Sequence, residues 1–195
     1  MIVVPATPGP VATDWRQVDY GGNLTPPLGG PVQRVNRLGN RLAVTVTLPP
    51  MTPAQAGAWV MALNRAVREG ARWAIRQVEQ TIGPIGTPVV DGAGQAGATL
   101  VIRSAQPGGT LFESQFLTIV TAAARYTHMA SAAIVGTDGK VSLSIVPPLR
   151  AEPANGDQVL IAGPTIDGLL EGDGVAWTVD RARRFGLSFT IVEQD

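Results

Sequence analysis

The chain has 195 residues and no formal net charge, with 45% hydrophobic and 15% charged residues, 23 glycines, 16 prolines and no cysteine. That composition excludes a disordered chain, disulfides, thiolate metal sites and any bulk electrostatic pull toward nucleic acid or an anionic membrane. The length admits one large β domain or two small ones, and the glycines and prolines, spread without a repeat, punctuate many short elements rather than a few long helices.

Met1-Ile2-Val3-Val4-Pro5 carries neither a basic region nor a long apolar run, and no apolar run in the chain approaches ~18 residues. Neither a standard secretion signal nor a membrane-spanning segment is expected. The first fifty residues alternate extended stretches with turns: Asp14 to Tyr20, a turn at Gly21-Gly22-Asn23, then Pro26-Pro27-Leu28-Gly29-Gly30-Pro31. Arg41 to Leu48 gives the cleanest strand signal, with Leu42, Val44, Val46 and Leu48 on one side and Arg41, Ala43, Thr45 and Thr47 on the other. Pro49-Pro50 ends it.

One α-helix, about 52–69, is expected next. Thr52 is its N-cap, Pro53 takes the first helical position, and Gln55 stands three after the cap. Ala56, Trp59, Val60, Leu63 and Val67 form the apolar stripe, while Gln55, Asn64, Arg65 and Arg68 face elsewhere. Gly70 stops the helix as a left-handed cap. Trp59, mid-stripe, reads as a core anchor rather than a ligand-stacking residue.

From Thr99 the pattern is β again: Leu100 to Arg103, Phe116 to Val120, Arg125 to Met129, Val141 to Val146 and Val159 to Ala162, separated by turns at Pro107-Gly108-Gly109, Thr137-Asp138-Gly139-Lys140 and Ala154-Asn155-Gly156-Asp157. Five short strands at this spacing suit a small barrel. Val175 to Val179 and Leu187 to Val192 add two more around Arg181 to Arg184. The expected class is therefore α+β, mainly β: an α+β domain of residues 1–84 and 165–195, interrupted by a barrel of residues 85–164. The insertion begins in a loop of Gly83, Pro84, Gly86 and Pro88 and ends near Gly163-Pro164.

Candidate chemistry is sparse. Gly92-Ala93-Gly94-Gln95-Ala96-Gly97 spells the dinucleotide fingerprint, but Ala98 to Arg103 after it is β-branched and has no helical stripe, so a glycine-rich barrel turn is expected. His128 is the sole histidine; it shares a strand face with Tyr126 and reads as a packed or rim residue rather than as a general base, and there is no G-x-S-x-G elbow. A soft-ligand metal site has too few ligands. Asp167, Glu171 and Asp173 lack the spacing of an EF-hand loop and read as a solvated acidic turn, with a glycosidase-like carboxylate pair as the alternative. Arg181, Arg183 and Arg184 lack interleaved aromatics and read as a solvated or subunit-contacting edge. Lys140 is the only lysine; the arginine bias suits interface ion pairs, although a GC-rich coding sequence gives the same ratio. No catalytic, cofactor-binding or metal-binding residue is assigned, and no cofactor.

Three stretches nevertheless form a pattern. Gly29-Gly30-Pro31-Val32-Gln33-Arg34-Val35-Asn36-Arg37-Leu38-Gly39 leads through the strand ending Leu48-Pro49-Pro50-Met51 to the helix of Trp59. Thr137 to Arg150 follows with Gly156-Asp157, and Phe185-Gly186-Leu187-Ser188-Phe189-Thr190-Ile191-Val192-Glu193 closes the chain. Together they cover about half of it and resemble the distal tail proteins of long-tailed bacteriophages, the siphophages.

That resemblance implies a strand-and-helix belt domain carrying an inserted oligonucleotide-fold-like barrel. It also implies six copies in a ring joining tail tube to tail tip, and a place in the virion after synthesis in the host cytoplasm. The implied partners are the tail tube protein and the tail-tip hub or fibre proteins, without nucleic-acid contact; the family offers no catalytic residues to carry over. One departure is Leu111-Phe112-Glu113-Ser114-Gln115-Phe116, where many members open a barrel strand with Gly-Asp. The expected role is a non-enzymatic tail-tip component, with a tail terminator or another baseplate ring as near variants. A host-surface carbohydrate-binding module, which the 5% aromatic content disfavours, and a peptidoglycan hydrolase are the alternatives.

Overall fold

A computed structural model describes residues 1–77 and 84–194, and the chain so described is mainly β with one helix. In chain order the elements are β1 (Ile2–Val3), β2 (Ala12–Val18), β3 (Gly22–Leu24), β4 (Gln33–Val35), β5 (Arg41–Thr47), α1 (Pro53–Glu69), β6 (Ala71–Ala74), β7 (Gly86–Val90) and β8 (Gly97–Ala105). They continue with β9 (Thr110–Leu111), β10 (Gln115–Val120), β11 (Arg125–Ala130), β12 (Ala133–Ile134), β13 (Val141–Leu149), β14 (Gln158–Leu160), β15 (Thr165–Leu170), β16 (Trp177–Val179) and β17 (Phe185–Glu193).

An open sheet runs β1-β6-β15-β17-β5-β2, with β16 attached to the start of β17. Only the β1–β6 pair is parallel. The expected alternation of β5 holds: Leu42, Val44, Val46 and Leu48 are buried, and Ala43 is buried as well. The sheet is strongly curled, because Trp15 on edge strand β2 lies 6.2 Å, ring to ring, from Trp73 on β6. Helix α1 packs against the sheet through Ala56, Trp59, Leu63 and Ala66, with Trp59 stacked at 5.8 Å on Phe189.

Two details of the helix differ from expectation. Val67 is exposed and Ala66 takes its place in the stripe, since 3.6 residues per turn carry the buried face to position 66. Gly70 ends the helix with φ 76° and ψ 158°, a conformation essentially reserved for glycine but not the left-handed helical one. Gln55 does complete the N-terminus, its Oε1 accepting from the Thr52 backbone N–H at 3.1 Å.

The second core fills a closed, antiparallel six-stranded barrel in the order β10-β11-β13-β8-β7-β14. All five expected barrel strands are present. The sixth, β7, was expected to be loop because of Gly86 and Pro88. Pro88 is tolerated because the β7–β8 register shifts between Gly86 and Val89, so an irregularity absorbs the missing N–H. Strand β13 likewise runs past Pro147-Pro148 to Leu149, with its register to β8 shifting after Ser144. Gly83 and the rest of 78–83, where the insertion was expected to begin, lie outside the described residues, as does Asp195.

Candidate functional site

Three structural features outside the two cores carry the polar and apolar groups from which a function must be built. The first is the seam between sheet and barrel. Glu193, at the end of β17, is fully buried, and its carboxylate accepts the Thr127 N–H at 2.5 Å and the Leu42 N–H at 3.3 Å. Arg150, after β13, lies 2.9 Å from the same carboxylate and 5.0 Å over the Tyr126 ring. Burial pushes the Glu193 pKa up, opposed by the Arg150 charge and the N–H donors.

Beside that pair, the Thr165 carbonyl accepts from the hydroxyls of Thr118 at 2.7 Å and Thr127 at 3.0 Å, and the Thr165 N–H donates to Thr118 Oγ1 at 2.8 Å. Gln77 Nε2 donates to the carbonyls of Phe116 and Ile161, while its Oε1 accepts the Phe116 N–H. Trp15 and Phe116 stack across the seam at 4.3 Å. Buried hydrogen bonds that cross the seam in this number favour one relative placement of sheet and barrel.

His128 is fully buried in the barrel opposite Leu117, as a packed residue. Its Nδ1 lies 2.7 Å from the Pro147 carbonyl, which makes Nδ1 the protonated nitrogen, and its Nε2 has no hydrogen-bond partner among the described residues. Burial pushes its pKa down to about 4, so the ring is neutral at pH 7. Among the described residues no serine or carboxylate is hydrogen-bonded to it.

The second feature corrects the acidic turn. Asp167 lies within β15, buried, and Arg72 on the neighbouring β6 donates to it twice, Nε at 2.7 Å and Nη2 at 2.6 Å. That bond raises the Arg72 pKa. A local reading missed this because Gly168 looked like a turn residue, whereas it sits where two backbones meet: a Cβ there would lie 2.1 Å from the Val192 carbonyl oxygen. Glu171 pairs with Arg16 at 2.5 Å in the open, and Asp173 is exposed. A cleft of about 270 Å³ opens beside Arg72, Asp167 and Arg125. Among the described residues no cluster of three or more His, Asp or Glu side chains is placed to hold a metal.

The third feature is a pair of projecting hairpins. Between β2 and β5 an arm carries β3 and β4; the expected turn at Gly21-Gly22-Asn23 is instead the start of β3. Every residue from 22 to 38 is exposed, Leu28 at the tip by 98%. The second hairpin, β16 with the start of β17, carries Asp180, Arg181, Arg183 and Arg184 at its exposed tip.

The glycine run is a barrel turn, as expected: Gly92 to Ala96 form the loop between β7 and β8, and Gly97 opens β8. Gln95 locks it by accepting the Val101 N–H at 2.7 Å and donating to the carbonyls of Asp91 and Val101. No helix follows it to receive a pyrophosphate. No helix among the described residues is long and apolar enough to cross a membrane. No family model matches the chain, and a search of curated proteins returned no match.

Of the residues in the seam, sequence reasoning missed Glu193, Arg150 and Gln77. A signal for Glu193 was present, since it continues the buried parity of Leu187, Phe189 and Ile191 along β17.

Proposed function

We propose that the chain is a non-enzymatic structural subunit of a bacteriophage tail tip, forming a ring between tail tube and tip in the manner of a distal tail protein. The observation that carries this reading is the place of the barrel. The chain leaves the open sheet after β6, and the strand that follows the barrel, β15, pairs directly with β6. A barrel set between two neighbouring strands of a strand-and-helix unit is the layout that the resemblance implies.

In this reading residues 1–84 and 165–195 are the belt and residues 85–164 the projecting barrel. The oligonucleotide fold has five strands and this barrel six, so the two share a small closed antiparallel barrel. The resembling segments fall on the arm, on β5, on α1, on β13 and on β17. The interlocked seam supports a load-transmitting part, because a joint crossed by buried hydrogen bonds and a Trp15–Phe116 ring contact resists hinging. Tail tube and hub or fibre proteins are the partners, and the virion tail tip is the location.

Antibodies to the purified chain, applied to tailed particles made by the strain that encodes it, test the reading by electron microscopy. Label at the distal end of the tail is expected. Label on the head, or particles without label, contradicts it.

A further inference from the structure

Two arginines line one cleft between the sheet and the barrel, and only one of them is matched by a carboxylate. The cleft, about 270 Å³, is bounded on the sheet side by Arg72 and Asp167 and on the barrel side by Arg125 and the β10–β11 turn, Thr121 to Ala124. Arg72 is fully engaged, its Nε and Nη2 donating to the two carboxylate oxygens of Asp167 at 2.7 and 2.6 Å. Arg125 is half-buried and uses Nη1 alone, which donates to the neutral hydroxyl of Thr165 at 3.2 Å. Among the described residues its Nε and Nη2 have no partner and it forms no ion pair.

Nε and Nη2 are the edge of a guanidinium that matches the two oxygens of a carboxylate or phosphate. Asp167 displays that match on Arg72 within the same cleft, and Arg125 has the same edge open. The charges of Arg72 and Asp167 cancel, so the side chains lining the cleft carry one uncompensated positive charge, that of Arg125. A half-buried charge is screened less than one in open solvent. The neighbouring turn adds donors. Thr121 closes it, its Oγ1 accepting the Ala124 N–H at 3.1 Å and donating to the Ala124 carbonyl at 2.9 Å. The N–H groups of Ala122 and Ala123 are left without a partner among the described residues.

We propose that this cleft binds a small oxyanion, a carboxylate or phosphate group held by Nε and Nη2 of Arg125 as Asp167 is held by Arg72. Small-molecule sites usually enclose about 300 to 1,000 Å³, so a cleft at the bottom of that range suits inorganic phosphate or a compact polycarboxylate rather than a nucleotide. The anion would sit where barrel and sheet meet, and its binding to the folded chain alone would stabilise the fold by linkage. The site stands independently of the tail-tip reading.

Titration of the full ¹⁵N-labelled chain with sodium phosphate and, separately, with sodium citrate tests it by NMR, ionic strength being held constant with chloride. Saturable shifts are expected at the amides of Ala122, Ala123 and Ala124 and at the Arg125 Nε–H, with a Kd on the order of 1 mM for two charge-assisted hydrogen bonds. The tighter of the two anions names the head group. Arg125→Ala should weaken binding by about tenfold or more. Arg125→Lys, which keeps the charge and the fold but loses the fork, should weaken it as well. Arg181→Ala, on the remote β16–β17 hairpin, should leave it unchanged. Shifts that fail to saturate with either anion, or a Kd that both Arg125 variants leave within about twofold of the native value, overturn the site.

Discussion

The carboxylate of Glu193 accepts the backbone N–H of Thr127 at 2.5 Å, so the last strand of the sheet is bonded to a strand of the barrel through a fully buried charge. Arg150, 2.9 Å away, balances that charge. Removing one member of such a pair strands the other in a medium where it cannot be solvated.

Arg150→Met and Glu193→Leu should therefore each cost about 3 to 5 kcal/mol of stability. Urea unfolding of the two variants measures it. Losses under about 1 kcal/mol would mean that water reaches the seam.

The pH dependence of folding should carry a His128 signature. Its pKa, about 4 in the folded chain, lies below the ordinary 6.5 because burial disfavours the imidazolium. Between those values the unfolded chain binds the extra proton, so stability is full above about pH 6.5 and falls by about 3 kcal/mol as pH drops toward 4. Glu193, with its raised pKa, acts in the opposite sense above about pH 4.5, and the difference between the native chain and His128→Asn isolates the histidine. A difference that stays flat from pH 7 to 4 would contradict its burial as a neutral ring.

Gly168→Ala should be costly although its backbone is ordinary strand. The added Cβ meets the carbonyl of Val192 on the next strand at 2.1 Å, and backbone cannot step aside as a side chain does. A loss of about 1 to 3 kcal/mol is expected, which calorimetry reads as a fall in Tm of about 2 to 4 °C per kcal/mol for a chain of this size.

Much of this was legible along the chain, and the exceptions share a cause. The alternation of Leu42 to Leu48, the capped helix of Trp59 and the turns around five barrel strands are local patterns, and each is found where it was expected. Strand β7 was hidden by Pro88, and β15 by Asp167-Gly168, because proline and Asp-Gly ordinarily mark loops. What makes them strands is distant: an irregular register with β8 in one case and the guanidinium of Arg72 in the other. The seam was the least legible part. Thr127, Arg150, Gln77 and Glu193 meet only after folding, and apart from the parity of Glu193 no spacing announces them.

Glu171→Ala should change stability by less than about 1 kcal/mol, since its pair with Arg16 is half exposed on both sides. Neither it nor Asp173→Ala should change turnover of peptidoglycan by the purified chain. Turnover that either substitution abolishes would revive the hydrolase alternative.

Whether the chain assembles into a ring is decided by its mass in solution, followed by light scattering of the purified chain across a concentration series. A closed oligomer, sixfold or a multiple, is expected, its mass reaching a plateau as concentration rises. A mass that stays at one chain throughout the series would contradict it.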